Sequence, residues 1–299
     1  MTDLLSSMAE ARQRFMDLVA EVRPELHRYC TRMTGSVFDG EDVVQDTLAK
    51  AYYALAELDA PPPLRPWLFR IAHNTAMDFL RRYEHRKVDA SAEIEVVADM
   101  ASSSDRDDRG PEGARVEAAL EVFAALPPVQ RSALALKDVL GLSLEEAADT
   151  METTVAAVKA ALVRARSNVA KTTAQPSIQA GDALRLRGYA NLFNARDWDG
   201  LRALFGEETK LDVVSRYQRR GPSAPNYFTQ YARLAPEEDL RADAGWVDGV
   251  PAIAVFRPAS STRPAYFIRL DWRDGRIAQV RDFRYVPYIG GDASFTAAH

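Results

Sequence analysis

A single cysteine, Cys30, stands among the 299 residues, so no internal disulfide framework holds this chain, and the composition suits a reducing cytosol. Histidine is almost as scarce. Of the four in the sequence, only His299 lies beyond residue 182, which gives the C-terminal third little to build a metal site or an imidazole base from. No apolar run approaches the roughly 18 residues of a membrane span. The opening stretch MTDLLSSMAEARQRF has no signal-peptide core, so a cytoplasmic protein without a membrane partner is expected. Positive charge is not in excess either: 38 Lys and Arg against 43 Asp and Glu leave a net charge of −5. The chain as a whole therefore has no electrostatic pull toward nucleic acid. Any DNA-binding surface must be local or be completed by a partner.

What is present is the mix of an ordinary soluble protein, 47% apolar and 27% charged, at a length that calls for two or three domains. Residues 10–88 read as helical. Phe15, Leu18, Val19 and Val22, then Val43, Val44, Leu48 and Tyr52, recur at three- and four-residue steps. Pro61-Pro62-Pro63 breaks the pattern, and helix resumes at Trp67. Residues 89–113 read as an acidic flexible linker. From 89 to 121 ten acids face three arginines, a local −7, and so few large apolar groups bury too little surface to offset ordering.

A second helical block spans 114–171, a polar joint follows near 172–181, and residues 182–290 change period. Leu186, Ala190 and Phe193 form a helical stripe, and Asp197 reads as an N-cap ahead of Trp198, Leu201 and Leu204. Strands come next. In PAYFIRLDW, Tyr266, Ile268, Leu270 and Trp272 fall on one face, with Phe267, Arg269 and Asp271 on the other. Asp248-Gly249 and Asp274-Gly275 sit between strand-like runs as hairpin turns. The fold class expected is multidomain: two all-α domains, then an α+β domain with helices ahead of an antiparallel sheet.

Two helical segments carry chemistry. In SLEEAADTM, Ser143 and Glu146 have capping-box spacing. A polar break follows, and Thr153 or Thr154 then caps a second helix with Val155, Val158, Leu162 and Val169 toward a core. Lys159, Arg164, Arg166 and Lys171 give that stretch a local +4 with no acid. A basic second helix after a short turn is how a recognition helix meets the major groove; an ordinary hairpin with a solvated basic face fits equally. Earlier, from Arg65 to Lys87, six bases against Asp78 and Glu84 give another local +4, interleaved with Trp67, Phe69, Phe79 and Tyr83. Bases among aromatics suit an opened single strand; the aromatics taken singly also fit core positions.

In order, EDVVQDTLAKAY (41–52), RPWLFRIAHNTAMDFLRR (65–82), the acidic linker and LPPVQRSALALKDVLGLSLEEAADTMETTVAAVKAALVRAR (126–166) resemble the extracytoplasmic-function class of bacterial alternative sigma factors. The resemblance covers both helical domains and implies sigma region 2 followed by a sigma region 4 helix-turn-helix. It implies core RNA polymerase as partner, with Asp42, Gln45 and Asp46 docking on the clamp helices of the largest subunits. It implies promoter DNA as the second partner. Asn74 would lie beside a flipped base of the minus-ten element, with Trp67 serving melting and Arg70, Arg81 and Arg82 on phosphates. Val155–Arg166 would read the minus-35 element as duplex, with Thr154, Lys159, Arg164 and Arg166 as contact candidates. After Lys159 the chain has Ala160 and Ala161 where members often carry polar and basic residues. Ala161 is thus expected to offer only apolar contact to a thymine methyl.

The tail, LRLRGYANLFNARDWDGLRALFGEETKLDVVSR through RDGRIAQVRDFRYVPYI, resembles SnoaL-like domains over about 182–290. That implies a cone of helices in a curved sheet, acting in such sigma factors as a built-in regulator. Three readings stay open for it: a structural regulator, a pocket for a small ligand of unknown kind, and a catalytic site in which Asp212, Tyr217, Tyr266 and Asp282 converge. Trp198, Trp246 and Trp272 fit either a cavity lining or core packing. No enzyme activity and no cofactor are expected. For the whole chain the alternative is a ligand-responsive transcription factor that binds duplex DNA without polymerase.

Overall fold

The computed structural model describes residues 2–55, 57, 62–93, 120, 123–169, 183–234 and 238–298. The chain divides into two compact units, one made from the helices up to Val169 and one from Ala183 onward. Most of the acidic stretch 89–113 and the polar joint 172–181 lie outside the described residues. No helix of the described residues is long and apolar enough to cross a membrane.

The first unit opens with three long helices, α1 (Thr2–Thr34), α2 (Val37–Leu55) and α3 (Leu64–Glu93). Of the apolar steps read from the sequence, Val19, Val43 and Val44 enter a common core with Val22 and Leu48 packed against it, Tyr52 is exposed, and the side chains of Phe15 and Leu18 lie outside the described ones. Leu26, Tyr29, Cys30 and Met33 of α1 meet Val43, Val44 and Ala51 of α2 and Leu68, Phe69, Ala72 and Ala76 of α3. α1 and α2 cross closely at Gly40, where a Cβ would stand 2.8 Å from the Thr31 amide nitrogen. α4 (Pro128–Leu134) starts with proline in its first turn and runs on through one π turn, Ala135–Val139. α5 (Leu144–Thr150) and α6 (Val155–Val169) complete the unit. Ser143 and Glu146 close the expected capping box, with bonds of 3.0 and 2.7 Å. Thr154 Oγ1 accepts from the Ala157 amide at 3.2 Å, which starts α6 at the expected point.

The same apolar core continues from α1–α3 into α4–α6 through Leu134, Leu136, Ala147, Met151, Val158 and Leu162. Polar groups are buried at this seam in a hydrogen-bonded network, although Arg131 Nε has no hydrogen-bond partner among the described residues. The hydroxyls of Tyr29 and Ser132 and Nδ1 of His73 lie mutually within 2.8 to 3.0 Å. The buried Arg131 guanidinium donates to the carbonyls of Met33, Ala124 and Leu126. Burial lowers its pKa to about 10, which leaves it charged at neutral pH.

Burial also lowers the His73 pKa to about 4, with Glu152 offsetting part of the shift. The unfolded chain therefore binds a proton near pH 6.5 that the folded chain refuses. The stability tied to a neutral His73 is complete above about pH 6.5 and falls by up to roughly 3 kcal/mol as the pH drops to about 4. A His73→Gln chain should show a shallower loss of denaturant midpoint across that window. An identical slope for both chains would contradict the assignment.

The second unit is α+β, as expected. α7 (Ala183–Asn194) and α8 (Trp198–Ala203) precede the strands β1 (Phe205–Val213) and β2 (Tyr217–Arg220). A 3-10 turn (Gly221–Asn226) leads into a further helix, α9 (Tyr227–Leu234). Then come β3 (Arg241–Val247), β4 (Val250–Phe256), β5 (Tyr266–Arg273) and β6 (Arg276–Asp282), followed by α10 (Ile289–Asp292) and β7 (Phe295–Ala297). Asp197 caps α8 by accepting from the Gly200 amide at 2.8 Å. Both Asp-Gly pairs are hairpin turns with positive φ at both residues, 51° and 76° at 248–249, 50° and 75° at 274–275. That geometry matches the right-handed twist of the strands they join.

The sheet runs β2-β1-β6-β5-β4-β3-β7. It differs from the antiparallel sheet expected in one pairing: β1 lies parallel to β6. The two strands are far apart in sequence, so no turn dictates their direction. Tyr266, Ile268 and Leu270 of β5 face the core with Leu186, Tyr189 and Phe193 of α7 and Tyr227, Phe228 and Tyr231 of α9. Phe267, on the opposite face of β5, is buried too.

Candidate nucleic-acid interface

α3 buries Leu68, Phe69, Ala72, Ala76 and Leu80. A second set at steps of three and four, Trp67, Arg70, Asn74, Asp78 and Arg81, falls on another face of the same helix. Arg70, Asn74, Asp78, Arg81 and Arg82 are exposed. Trp67 is half-buried and packs against the core, with Ile71 and Phe79. The row is therefore a polar face anchored by an aromatic at its N-terminal end. Asp78 accepts from Arg81 at 2.9 Å, and Asn74 Nδ2 donates to Glu152 Oε2 at 3.1 Å. Glu152 sits in the turn between α5 and α6 with φ of 49°. The amide expected to meet a base thus meets an acid of the helix-turn-helix.

On α2, Asp42 and Gln45 are half-buried and Asp46 is exposed. Gln45 Nε2 donates to Glu41 Oε1 at 3.3 Å, and the buried Glu41 is held by Arg23 at 2.5 Å. The acidic turn is thereby fixed from beneath.

α6 presents Lys159, Ala160, Val163 and Arg164 to solvent. Arg166 is exposed as well, but it forms a two-point pair with Asp138 at 2.8 and 3.1 Å. Thr154 is exposed and spends its hydroxyl on the α6 cap. One expectation is overturned. Ala161 has no exposure and cannot touch a thymine methyl. It belongs to the inward stripe Val158, Ala161, Leu162 and Ala165, one helical turn from Val158. Of the two alanines after Lys159, the exposed one is Ala160.

In the second unit, Tyr266 and Asp282 converge through Tyr231. The Tyr231 hydroxyl lies 3.0 Å from the Tyr266 hydroxyl and donates to Asp282 Oδ2 at 3.0 Å. Tyr227 donates to the same oxygen at 2.7 Å, and the Arg284 amide donates to Oδ1 at 2.9 Å. Burial raises the Asp282 pKa, while these donors pull it back. Arg284 pairs with Glu238 and lies 5.0 Å above the Tyr231 ring. Tyr217, Gln230 and Tyr285 join Tyr227, Tyr231 and Asp282 around a cavity of about 10 Å³, room for about one water. The Tyr189 hydroxyl, fully buried, has no hydrogen-bond partner among the described residues. Asp212 stands apart, paired with Arg281 at 3.2 Å. Trp198 packs on Phe193, Phe228 and Tyr231 rather than lining an open space.

Sequence reasoning missed Glu152, Tyr227, Tyr231 and Arg284. The spacing of Tyr227, Phe228 and Tyr231 was the available signal for α9. Nothing local marks Glu152.

Two family descriptions match within the first unit: Sigma-70 region 2 over residues 18–86, and Sigma-70, region 4 over residues 117–169. The ECF RNA polymerase sigma factor SigG of Mycobacterium tuberculosis is 29% identical over 311 aligned positions, covering 93% of this chain and 84% of the relative. The ECF RNA polymerase sigma factor SigW of Bacillus subtilis is 30% identical over 166, covering 52% of this chain and 87% of the relative. Among solved structures, that of the Mycobacterium tuberculosis extracytoplasmic function sigma factor SigJ is similar at 20% identity. It covers 89% of this chain and 95% of its own, with a TM-score of 0.36. Two helical modules follow one another in the order of the two matched descriptions, and with the SigW relative matched over most of its length the chain belongs to the extracytoplasmic-function class of alternative RNA polymerase sigma factors.

Proposed function

We propose that the chain docks on the clamp of core RNA polymerase through Asp42, Gln45 and Asp46, and captures the opened minus-ten strand on α3. Asn74 reads a base, and Arg70, Arg81 and Arg82 hold phosphates. α6 reads the minus-35 duplex through Lys159 and Arg164, with Thr154 at its start and Arg166 once Asp138 releases it. The observation that carries this reading is the exposed row on α3. An amide, several guanidiniums and a half-buried tryptophan share one face of a helix whose opposite face is core. Single-stranded DNA needs that combination of donors, charge and ring surface.

The C-terminal unit acts in this reading as a regulatory module that adjusts how the helical unit engages polymerase or DNA, without covalent chemistry of its own. In its favour, the polar interior around Asp282 is closed down to about 10 Å³, little space for a substrate.

The test titrates core polymerase with three chains: the full chain, an Asp46→Lys chain, and one lacking residues 183–298. The charge reversal should weaken binding about ten-fold or more, with thermal unfolding unchanged because Asp46 is exposed. Truncation should change core affinity or promoter opening. Full affinity in the Asp46→Lys chain would sink the docking assignment, and indifference to truncation would sink the regulatory one.

A further inference from the structure

Beneath the docking residues of α2 lies an acid that cannot itself reach a partner. Glu41 has no exposure, and it follows Gly40, where α1 and α2 cross too closely for a Cβ. Its Oε1 accepts from the Arg23 guanidinium of α1 at 2.5 Å and from Gln45 Nε2 of α2 at 3.3 Å. Helical spacing sets Gln45 over Glu41, four residues on. Cys30, Val43 and Val44 are buried on the same two helices. An ion pair is a costly way to join helices across such an interior. Desolvating both charges offsets most of their attraction, and an apolar pair of similar size would hold as well. What an apolar pair could not do is accept from Gln45. That bond also decides which end of the amide faces out. An oxygen that already accepts from a guanidinium takes only the NH2 end, so the Gln45 carbonyl is left for a partner. Asp42, Gln45 and Asp46 then all offer oxygen acceptors, and a surface of arginine or lysine donors fits them.

We propose that the buried Arg23–Glu41 pair is a positioning device for polymerase docking: it holds the Gln45 amide with its carbonyl outward, toward cationic donors on the clamp. The proposal rests on the docking reading above and gives α1, which carries none of the docking side chains, a part in it.

The experiment titrates core polymerase with the full chain and its variants, and reads thermal unfolding alongside. Arg23→Met together with Glu41→Leu replaces the pair by apolar groups and keeps the helix crossing filled. Core binding should weaken about two- to ten-fold, the effect of releasing one ordered side chain. Gln45→Ala alone should lose about ten-fold or more, as for one hydrogen bond to a charged partner. In that Gln45→Ala chain the apolar replacement should cost nothing further. Equal losses in both backgrounds would overturn the proposal, because a disturbed helix crossing weakens both alike. Full affinity of the apolar replacement in the parent would overturn it too. Relaxation of the Gln45 side-chain amide, measured by NMR in the unsubstituted chain, leaves the pair in place. A freely reorienting amide overturns the proposal even if the apolar replacement fails to fold. Parental affinity of Gln45→Ala takes Gln45 out of the docking surface and the proposal with it, while Asp42 and Asp46 stand. If the unsubstituted chain does not bind polymerase, the docking reading falls and the positioning device with it.

Discussion

Replacing Asn74 by alanine should cut open-complex formation by roughly five- to 150-fold, the range of 1 to 3 kcal/mol that a side chain's hydrogen bonds to a base contribute. Stability should change by about 0.5 kcal/mol or less, because Asn74 is exposed and loses only a solvated bond. A residue that reads DNA fails in opening and not in folding, whereas a core residue fails in both. The structure adds a second arm. Asn74 is occupied by Glu152 at 3.1 Å, so an incoming base must displace that carboxylate. Glu152→Ala should therefore ease opening, by a few-fold at most for one exposed hydrogen bond. Equal and parallel losses of opening and thermal stability in Asn74→Ala would mean that the residue holds the fold rather than the strand.

Removing the Asp282 carboxylate should be the most destabilising single change in the second unit. Asp282 is 1% exposed and accepts from Tyr227, Tyr231 and the Arg284 amide. Without it, two buried hydroxyls lose their acceptor and Arg284 loses a nearby anion. The expected loss in Asp282→Ala is roughly 3 to 5 kcal/mol. Tyr227→Phe removes one donor and leaves the acceptor otherwise satisfied, so about 1 kcal/mol is expected. Calorimetry of the full chain reads both, since two compact units are expected to unfold in separable transitions. Only the transition of the second unit should move. An Asp282→Ala chain within about 1 kcal/mol of the parent would mean the network is not holding the interior.

The sequence made some of this legible and hid the rest for physical reasons. The α3 face was readable because its bases and aromatics recur at helical steps, and the two hairpins were readable because Asp-Gly has few other uses. The direction of β1 against β6 was not, since a pairing between distant strands is set by the whole sheet. Ala161 was misplaced because one residue's error in the face of a helix turns it by about 100°, and only the packing of Val158, Ala161 and Leu162 together into the core of the first unit fixes that face. The meeting of Tyr231, Tyr266 and Asp282 is tertiary. Tyr266 and Asp282 carried their own chemistry in the sequence, but the helix that joins them was not recognised. Glu152 against Asn74 is of the same kind, a contact between residues 78 apart that no local spacing announces.

The most direct test of the account is run-off transcription by core RNA polymerase on genomic fragments, with and without the full chain. Transcripts should start from discrete sites, appear only when the chain is present, and weaken with Asn74→Ala. Core polymerase that starts no differently with the chain than without it would contradict the account.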